Sequence, residues 1–217
     1  MSKLEKFRYH YLNCETTVKE YSSLLEDSDI LDIGSNVGFF SEAIVKNVNY
    51  KSIHLFEPSK EYYDYSKSNV SLQNSKNIFF NNYGLGNTNS QSILYKSSDD
   101  NIGWNTFLKK DPLAPANFLS KMIKENCTIK KLDDYKLKNI DFIKIDVEGL
   151  EHKVLEGGLK IIKKFKPYIL IEVGWGTSHP DWKECNKIYE RLFDLGYEKI
   201  NFESYTQDIL FKPKNKK

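Results

Sequence analysis

A glycine-bracketed turn, Asp32-Ile33-Gly34-Ser35-Asn36-Val37-Gly38, follows a short apolar run and precedes a helical pattern. Glycine at such a turn admits backbone angles closed to other residues and lets a ligand approach the main chain. The spacing selects among nucleotides. A dinucleotide fingerprint counted from Gly34 requires glycine at positions 36 and 39, where the chain has Asn36 and Phe39. No G-x-x-x-x-G-K-[ST] phosphate loop occurs. A nucleoside ligand with no phosphate to cradle, such as S-adenosylmethionine, does not need either geometry. Glu57 closes the next apolar run, where a carboxylate can accept hydrogen bonds from both ribose hydroxyls. A bare tight turn and an exposed glutamate are the ligand-free alternatives for these two features.

A second group lies further along. The run Asp141–Val147 is apolar at Phe142, Ile143, Ile145 and Val147, as a buried strand requires, and is interrupted by Lys144 and Asp146. Charges inside such a run are costly unless paired or set at a strand mouth. Asp146 stands next to the carboxyl end, with Glu148 and Gly149 in the following turn, so two carboxylates can meet on the ligand side. Glu172 stands near the same end of another apolar run, Tyr168–Val173. The non-catalytic alternatives are an ion pair between Lys144 and Asp146 and a helix-capping Glu148. His179, in the loop 174–182, titrates near neutrality and suits proton transfer, or is simply an exposed loop histidine. His10, His54 and His152 have weaker positional claims. Trp104, Trp175 and Trp182 suit either stacking on a sugar ring or packing.

The elements that position these residues follow from hydrophobic periodicity. Val18, Tyr21, Leu24 and Leu25 predict an N-terminal helix over 15–26, within a helical segment 1–27. Ile30–Ile33 is a strand, 38–48 a helix with Phe40, Ile44 and Val45 inward, and Ser52–Phe56 a strand. A helix over 61–73 is opened by Ser59 as its cap, and a strand begins at Ile78. The region 84–130, rich in Asn, Ser and Gly, reads as a substrate-facing insertion with a β-like stretch at 90–95 and a helix at 116–124. Alternation resumes with strand 141–147, helix 150–165, strand 168–173 and helix 182–195. Residues 197–202 and 209–211 predict a closing hairpin, and 212–217 a solvated tail. Alternating strands and helices imply a parallel, helix-covered sheet, here in a single domain spanning 1–217.

Composition narrows the partners. The net charge is only +2, and Arg8 and Arg191 are the sole arginines. Neither fact favours a phosphate-rich partner, so no nucleic acid is expected. The scattered Cys14, Cys127 and Cys185 form no CxxC pair and suit reduced thiols in a cytoplasmic protein. The sequence has no apolar run of the length a membrane span needs, and its polar start lacks a signal-peptide pattern.

Leu132-Asp133-Asp134-Tyr135 and Ile140-Asp141-Phe142-Ile143-Lys144-Ile145-Asp146-Val147-Glu148-Gly149 form a longer signature. It continues through Glu151, Val154-Leu155, Gly157-Gly158, Pro167 and Ile169–Glu172. With the loop at 32–38 and Phe56-Glu57-Pro58-Ser59 in matching order and spacing, the chain resembles the FkbM family of methyltransferases over residues 28–173. The resemblance implies a class I methyltransferase fold: a Rossmann-like α/β, mostly parallel sheet with helices on both faces. It also implies S-adenosylmethionine as donor and, usually, O-methylation of a hydroxyl on a sugar or related small molecule. Carried onto this sequence, donor binding falls to Asp32, Gly34, Ser35, Asn36, Gly38, Phe39, Glu57, Pro58 and Ser59. Methyl displacement from a sulfonium needs alignment and, for an alcohol, removal of its proton. Asp146 is the first candidate to take that proton or orient the acceptor, with Glu148, Glu172 and His179 beside it. The same carboxylates offer a site for magnesium that would acidify the hydroxyl. Two other classes compete: an NAD-dependent sugar-modifying oxidoreductase or epimerase, opposed by Asn36 and Phe39, and a non-catalytic methyltransferase-like binding protein, opposed by the intact acidic and glycine positions.

Overall fold

The apolar runs of the sequence become two sheets. The computed structural model describes residues 3–97, 105–107, 122–172, 182–200 and 208–214. The N-terminal half contains α1 (Lys3–Glu20), α2 (Ser22–Leu25), β1 (Asp29–Ile33), α3 (Phe39–Asn47), β2 (Ser52–Phe56), α4 (Lys60–Ser68), α5 (Val70–Gln73) and β3 (Ile78–Asn81). A second group of strands follows: β4 (Gly84–Leu85), β5 (Ser90–Lys96), β6 (Asn105–Thr106) and β7 (Ile123–Lys130). The C-terminal half holds β8 (Phe142–Ile145), α6 (Glu151–Gly157), α7 (Leu159–Phe165), β9 (Tyr168–Glu172), α8 (Trp182–Asp194), β10 (Tyr197–Ile200) and β11 (Asp208–Pro213).

The main sheet has seven strands in the order β10-β11-β9-β8-β1-β2-β3. From β9 to β3 every neighbouring pair is parallel; β11 runs antiparallel to both β9 and β10. The expected closing hairpin is present, with β11 inserted next to β9 and β10 left at the edge. Residues along each central strand alternate between two cores, as a pleated strand buried on both faces demands. Leu31, Ile33, Ile143, Ile145, Ile169 and Ile171 face one core, which includes Val154 and Leu155 of α6, Ile162 of α7 and Leu192 of α8. Ile30, Phe142 and Leu170 face the other, with Val18 of α1, Leu25 of α2 and Phe40 and Ile44 of α3. Helices therefore cover both faces.

Several boundaries differ from those the sequence predicts. The N-terminal helix begins far earlier than residue 15, at Lys3, and its exposed face mixes polar residues with Tyr9 and Leu12, which blurs the helical periodicity. The helix expected over 61–73 breaks at Asn69, whose side chain caps α5 by accepting from the backbone N–H of Ser71 and Leu72. Ser59 stands at the start of α4 without capping it; its hydroxyl is used elsewhere, as shown below. The helix expected over 150–165 is divided at Gly158 into α6 and α7. Residues 84–130 are not only loop: β4, β7, β5 and β6 form a second, four-stranded sheet. Ile123 and Lys124, expected to end a helix, are the first residues of β7; the rest of that predicted helix up to residue 121 lies outside the described residues. The strand at 141–147 is shorter, Phe142–Ile145, because Asp146 begins the turn. Among the described residues, no helix is long and apolar enough to cross a membrane.

Candidate active site

From β1 the chain builds β2 and β3 on one side and later adds β8 and β9 on the other, so the strand order reverses between β1 and β8. Diverging connections there leave a crevice outside the carboxyl ends of the strands. A cavity of about 240 Å³ occupies it. Asp32, Gly34, Ser35, Asn36 and Val37 line it from β1 and its loop, Phe39 from α3, and Glu57 and Pro58 from the end of β2. Lys144, Asp146, Glu148 and Glu172 close the other side.

The loop is held by its neighbours. Gly34 N and Ser35 N donate to Phe56 O at 3.0 and 3.1 Å, and Asp146 N donates to Ile33 O at 3.0 Å. Gly34 has φ +78°, and a Cβ there would stand 1.7 Å from the carbonyl oxygen of Asp146. Only glycine fits. Asn36 also has positive φ, which asparagine tolerates, and its side chain accepts from Val37 N at 2.8 Å. Glu57 is buried and accepts from Asn36 N at 2.9 Å and Ser59 N at 2.8 Å. Burial nevertheless pushes its pKa up to about 7.

Two polar atoms on this wall are orphaned. Asp32 Oδ2 accepts from Ser41 Oγ at 2.6 Å, whereas Asp32 Oδ1 and Ser35 Oγ are buried without a hydrogen-bond partner among the described residues. Buried polar atoms are normally satisfied, so unpaired ones lining a cavity call for a partner that the described residues do not supply. Gly38 and Ser59 do not line the cavity. Gly38, with φ +86°, starts α3 against Leu72 and Ser66. Ser59 is wired to the second sheet: its hydroxyl donates to Glu125 at 3.1 Å and accepts from buried Lys96 at 3.4 Å. Glu125 also accepts from the backbone N–H of Lys60 at 2.7 Å, so a strand residue does the capping expected of Ser59.

The opposite wall is a charge cluster. Lys144 Nζ lies 2.8 Å from Asp146 Oδ2, which is the ion pair weighed above, yet both residues also line the cavity. Parallel register sets Lys144 beside Asp32. Burial disfavours the Lys144 cation, but Asp146 and Asp32 outweigh it and hold the amine charged. Burial raises Asp32, opposed by Lys144 and Ser41. Burial also works against the Asp146 carboxylate, and Lys144 reverses this, leaving its pKa below the usual range. Glu172 is pushed far above it, first by the Asp146 charge and then by burial, and the two carboxyls share a hydrogen bond. Such a bond requires one proton between the two carboxyls, and the Asp146 charge drives it toward Glu172. Oxygens of Asp146, Glu148 and Glu172 lie within 4.8 Å of one another. The turn that presents them has positive φ at Glu148 and Gly149 and is tied down by Glu151, which accepts from Val147 N and Gly149 N, both at 3.1 Å. No side chain caps α6, so the capping role considered for Glu148 is not filled; Thr106 Oγ1 donates to the Glu148 carbonyl at 2.8 Å.

His179, Trp104 and Trp175 lie outside the described residues, as does the side chain of Trp182. The sequence marks two further walls only weakly, His10 as a base of weaker positional claim and 84–130 as a substrate-facing insertion with no site residue named. His10 and Cys14 reach the cavity from α1, and Leu94, Asn105 and Phe107 reach it from the second sheet. The one signal for the first pair was their i, i+4 spacing, which matters only once the helix is known to start before residue 10.

Comparison with known proteins fits this geometry. The family model described as Methyltransferase FkbM domain matches residues 32–199, from the buried Asp32 to the edge strand β10. The chain belongs to the FkbM methyltransferase family. Methyltransferase 1 of Beauveria bassiana is similar to this FkbM-family chain, 26% identical over 149 residues. That match covers 61% of the chain and 59% of the fungal protein, so the chain spans well under two thirds of its curated relative. Among solved structures, Methyltransferase FkbM from Methylobacillus flagellatus KT superposes with a TM-score of 0.52 at 14% identity, over 85% of this chain and 43% of that one. An O-methyltransferase from Bacillus cereus in complex with SAH superposes with a TM-score of 0.54 at 12% identity, over 92% of this chain and 79% of that one. At these identities the likeness is one of fold, and it is the class I methyltransferase fold.

Proposed function

We propose that this FkbM-family chain is an S-adenosylmethionine-dependent O-methyltransferase acting on a hydroxyl of a sugar or related small molecule. The observation that carries the reading is the pairing of orphaned buried acceptors with a glycine cradle at the strand-order reversal. Glu57 would hold the ribose hydroxyls, and Asp32 and Ser35 would take the polar groups of the amino-acid end. Phe39 and Pro58 line the same wall and supply apolar surface. When bound, the donor supplies an electrophilic methyl group whose departure needs no acid. The chain's own residues align the acceptor, exclude water and manage its proton.

Asp146 is assigned the orienting role: its carboxylate is ionised, partly open to the cavity and fixed by Lys144. It can accept the hydrogen bond of an acceptor hydroxyl, while protonated Glu172 can donate one. The acidic trio also has the spacing for a divalent cation. Lys144 and the proton shared with Glu172 already supply positive charge there, so we favour the metal-free reading, in which chelation leaves the rate unchanged. The near-neutral net charge and scarce arginines support a small acceptor rather than a nucleic acid. Unpaired Cys14 and Cys127 suit a cytoplasmic setting.

The test is calorimetry with S-adenosylmethionine and with NAD, followed by labelled methyl transfer to free and nucleotide-linked sugars, RNA and protein. The reading expects binding of the first ligand alone and label on a sugar hydroxyl. Label on RNA or protein overturns the acceptor class, and failure to bind the donor overturns the whole reading.

A further inference from the structure

We propose that His10, presented from α1 into the cavity beside Asp146, is the group that takes the proton from the acceptor hydroxyl. The inference rests on the O-methyltransferase reading and assigns a residue upstream of position 32, where the match to the family model begins.

Geometry places the imidazole. Phe39, the first residue of α3 and part of the cavity wall, meets Phe7 and Tyr11 of α1 edge-on, with centroids 6.0 and 5.9 Å apart. Phe7 also stacks on Tyr65 at 5.8 Å. Further along the helix, Val18 is buried in the core shared with α3. These contacts fix the rotation of α1 about its axis. One face carries Phe7, Tyr11 and Val18 onto α3, and the adjoining i, i+4 pair, His10 and Cys14, turns into the cavity. His10 is half-buried there and interacts electrostatically with Asp146.

Chemistry then selects among the groups on this wall. Asp146 is ionised but committed to Lys144, and its low pKa makes it a weak base. Glu172 has its pKa pushed far up by the Asp146 charge, which favours the protonated form over a free base. Burial pushes the Cys14 thiol up to about 12, so it stays protonated and inert. An imidazole ordinarily titrates near neutrality, and burial lowers His10 against the pull of Asp146, which favours the neutral ring with a lone pair to offer. The nearby Asp146 carboxylate stabilises the imidazolium that forms. The step balances: the hydroxyl oxygen bonds to the methyl carbon, the carbon–sulfur bond breaks with its electron pair staying on sulfur, and the proton passes to the imidazole.

The test combines kinetics with a readout independent of turnover. With a sugar acceptor found in the labelled-methyl screen, His10→Ala is expected to lower kcat about 10²-fold or more while donor affinity by calorimetry stays within about threefold. Added imidazole is expected to restore part of the rate. In the absence of acceptor, the His10 ring is followed by NMR through a pH titration. The charged and titratable groups that share the cavity with it are Asp32 from β1, Glu57 after β2, Lys144, Asp146 and Glu148 from β8 and its turn, Glu172 from β9 and Cys14 on its own helix, with Tyr9 against its ring. Asp146→Asn is expected to lower the His10 pKa, and addition of S-adenosylmethionine to shift its resonance. A resonance indifferent to both removes His10 from the site. An active His10→Ala enzyme within about threefold of wild type, or a loss confined to donor affinity, overturns the proton-transfer role. Wild-type protein that binds the donor yet methylates no hydroxyl defeats the O-methyltransferase reading itself, while the NMR titration still decides where His10 faces.

Discussion

The main-chain carbonyl of Asp146 fills the space that a side chain on Gly34 would need, leaving 1.7 Å to an added Cβ. The two motifs recognisable in the sequence, the glycine loop after β1 and the acidic turn after β8, are therefore closed on each other in the fold. Gly34→Ala forces them apart and also sets alanine at a φ of +78°. The variant is expected to lose about 3 kcal/mol or more of stability, read as a lower urea midpoint. It is also expected to lose measurable donor binding in calorimetry. A variant with an unchanged midpoint would show that β1 and β8 are not held this tightly.

Lys144 is the cation for two carboxyls, buried Asp32 and part-exposed Asp146. Replacing it by methionine leaves them uncompensated. Lys144→Met is expected to cost about 2–3 kcal/mol at pH 8. In the variant both acids have raised pKa values in the folded state, so they keep their protons at low pH and must ionise at a penalty as pH rises. The gap from wild type should therefore shrink toward pH 4. Denaturation curves at pH 4 and 8 check this, and a gap that grows on acidification contradicts it.

Glu151 ties down the turn that carries Asp146 and Glu148, and burial raises its pKa to about 7 from an ordinary value of 4.5. Folded protein then binds a proton that the unfolded chain has released, so stability falls as pH rises through that window. Glu57 is raised to about 7 for the same reason and adds to the slope. Glu151→Gln keeps an acceptor oxygen for the turn and removes one of the two titrations. The loss of stability between pH 5 and 8 should be smaller in the variant, by on the order of 2 kcal/mol. An identical slope in the two proteins refutes the assignment.

Glu57 and Asp146 stand on opposite walls of the cavity and should separate in kinetics. Glu57→Ala removes the carboxylate proposed to hold the ribose and should weaken donor binding about 10- to 100-fold. Asp146→Asn should lower kcat about 10²-fold and leave donor affinity within about threefold, given its proposed role in orienting the acceptor. Equal losses in both measurements for both variants would undo this division.

Much of the frame was legible because it is written in local signals. Apolar runs mark β1, β2, β3, β8 and β9, and the two-faced burial of β1, β8 and β9 follows from hydrophobicity at consecutive positions, whereas β3 is a part-exposed edge strand. The missing glycines at 36 and 39 argued against a dinucleotide before any coordinate was known. Asp32, Gly34, Asn36, Glu57, Asp146 and Glu172 do meet in one cavity, because strands of one parallel sheet bring their carboxyl ends to the same edge.

The second sheet is only partly legible, through the β-like stretch at 90–95, for the opposite reason. Its strands β5 and β7 have one exposed face and weak alternation, and their pairing joins segments far apart in the chain. Ser59 looked like a cap because its position is right for one; only the approach of Glu125 and Lys96 shows that its hydroxyl is engaged elsewhere. The glycine loop and the acidic turn can be read from the sequence because backbone strain and buried charge restrict residue choice wherever they occur. Which carboxyl holds a proton, which is neutralised by Lys144, and that His10 stands among them were decided by tertiary structure alone. Those properties depend on burial and on distances between residues that the chain brings together only by folding.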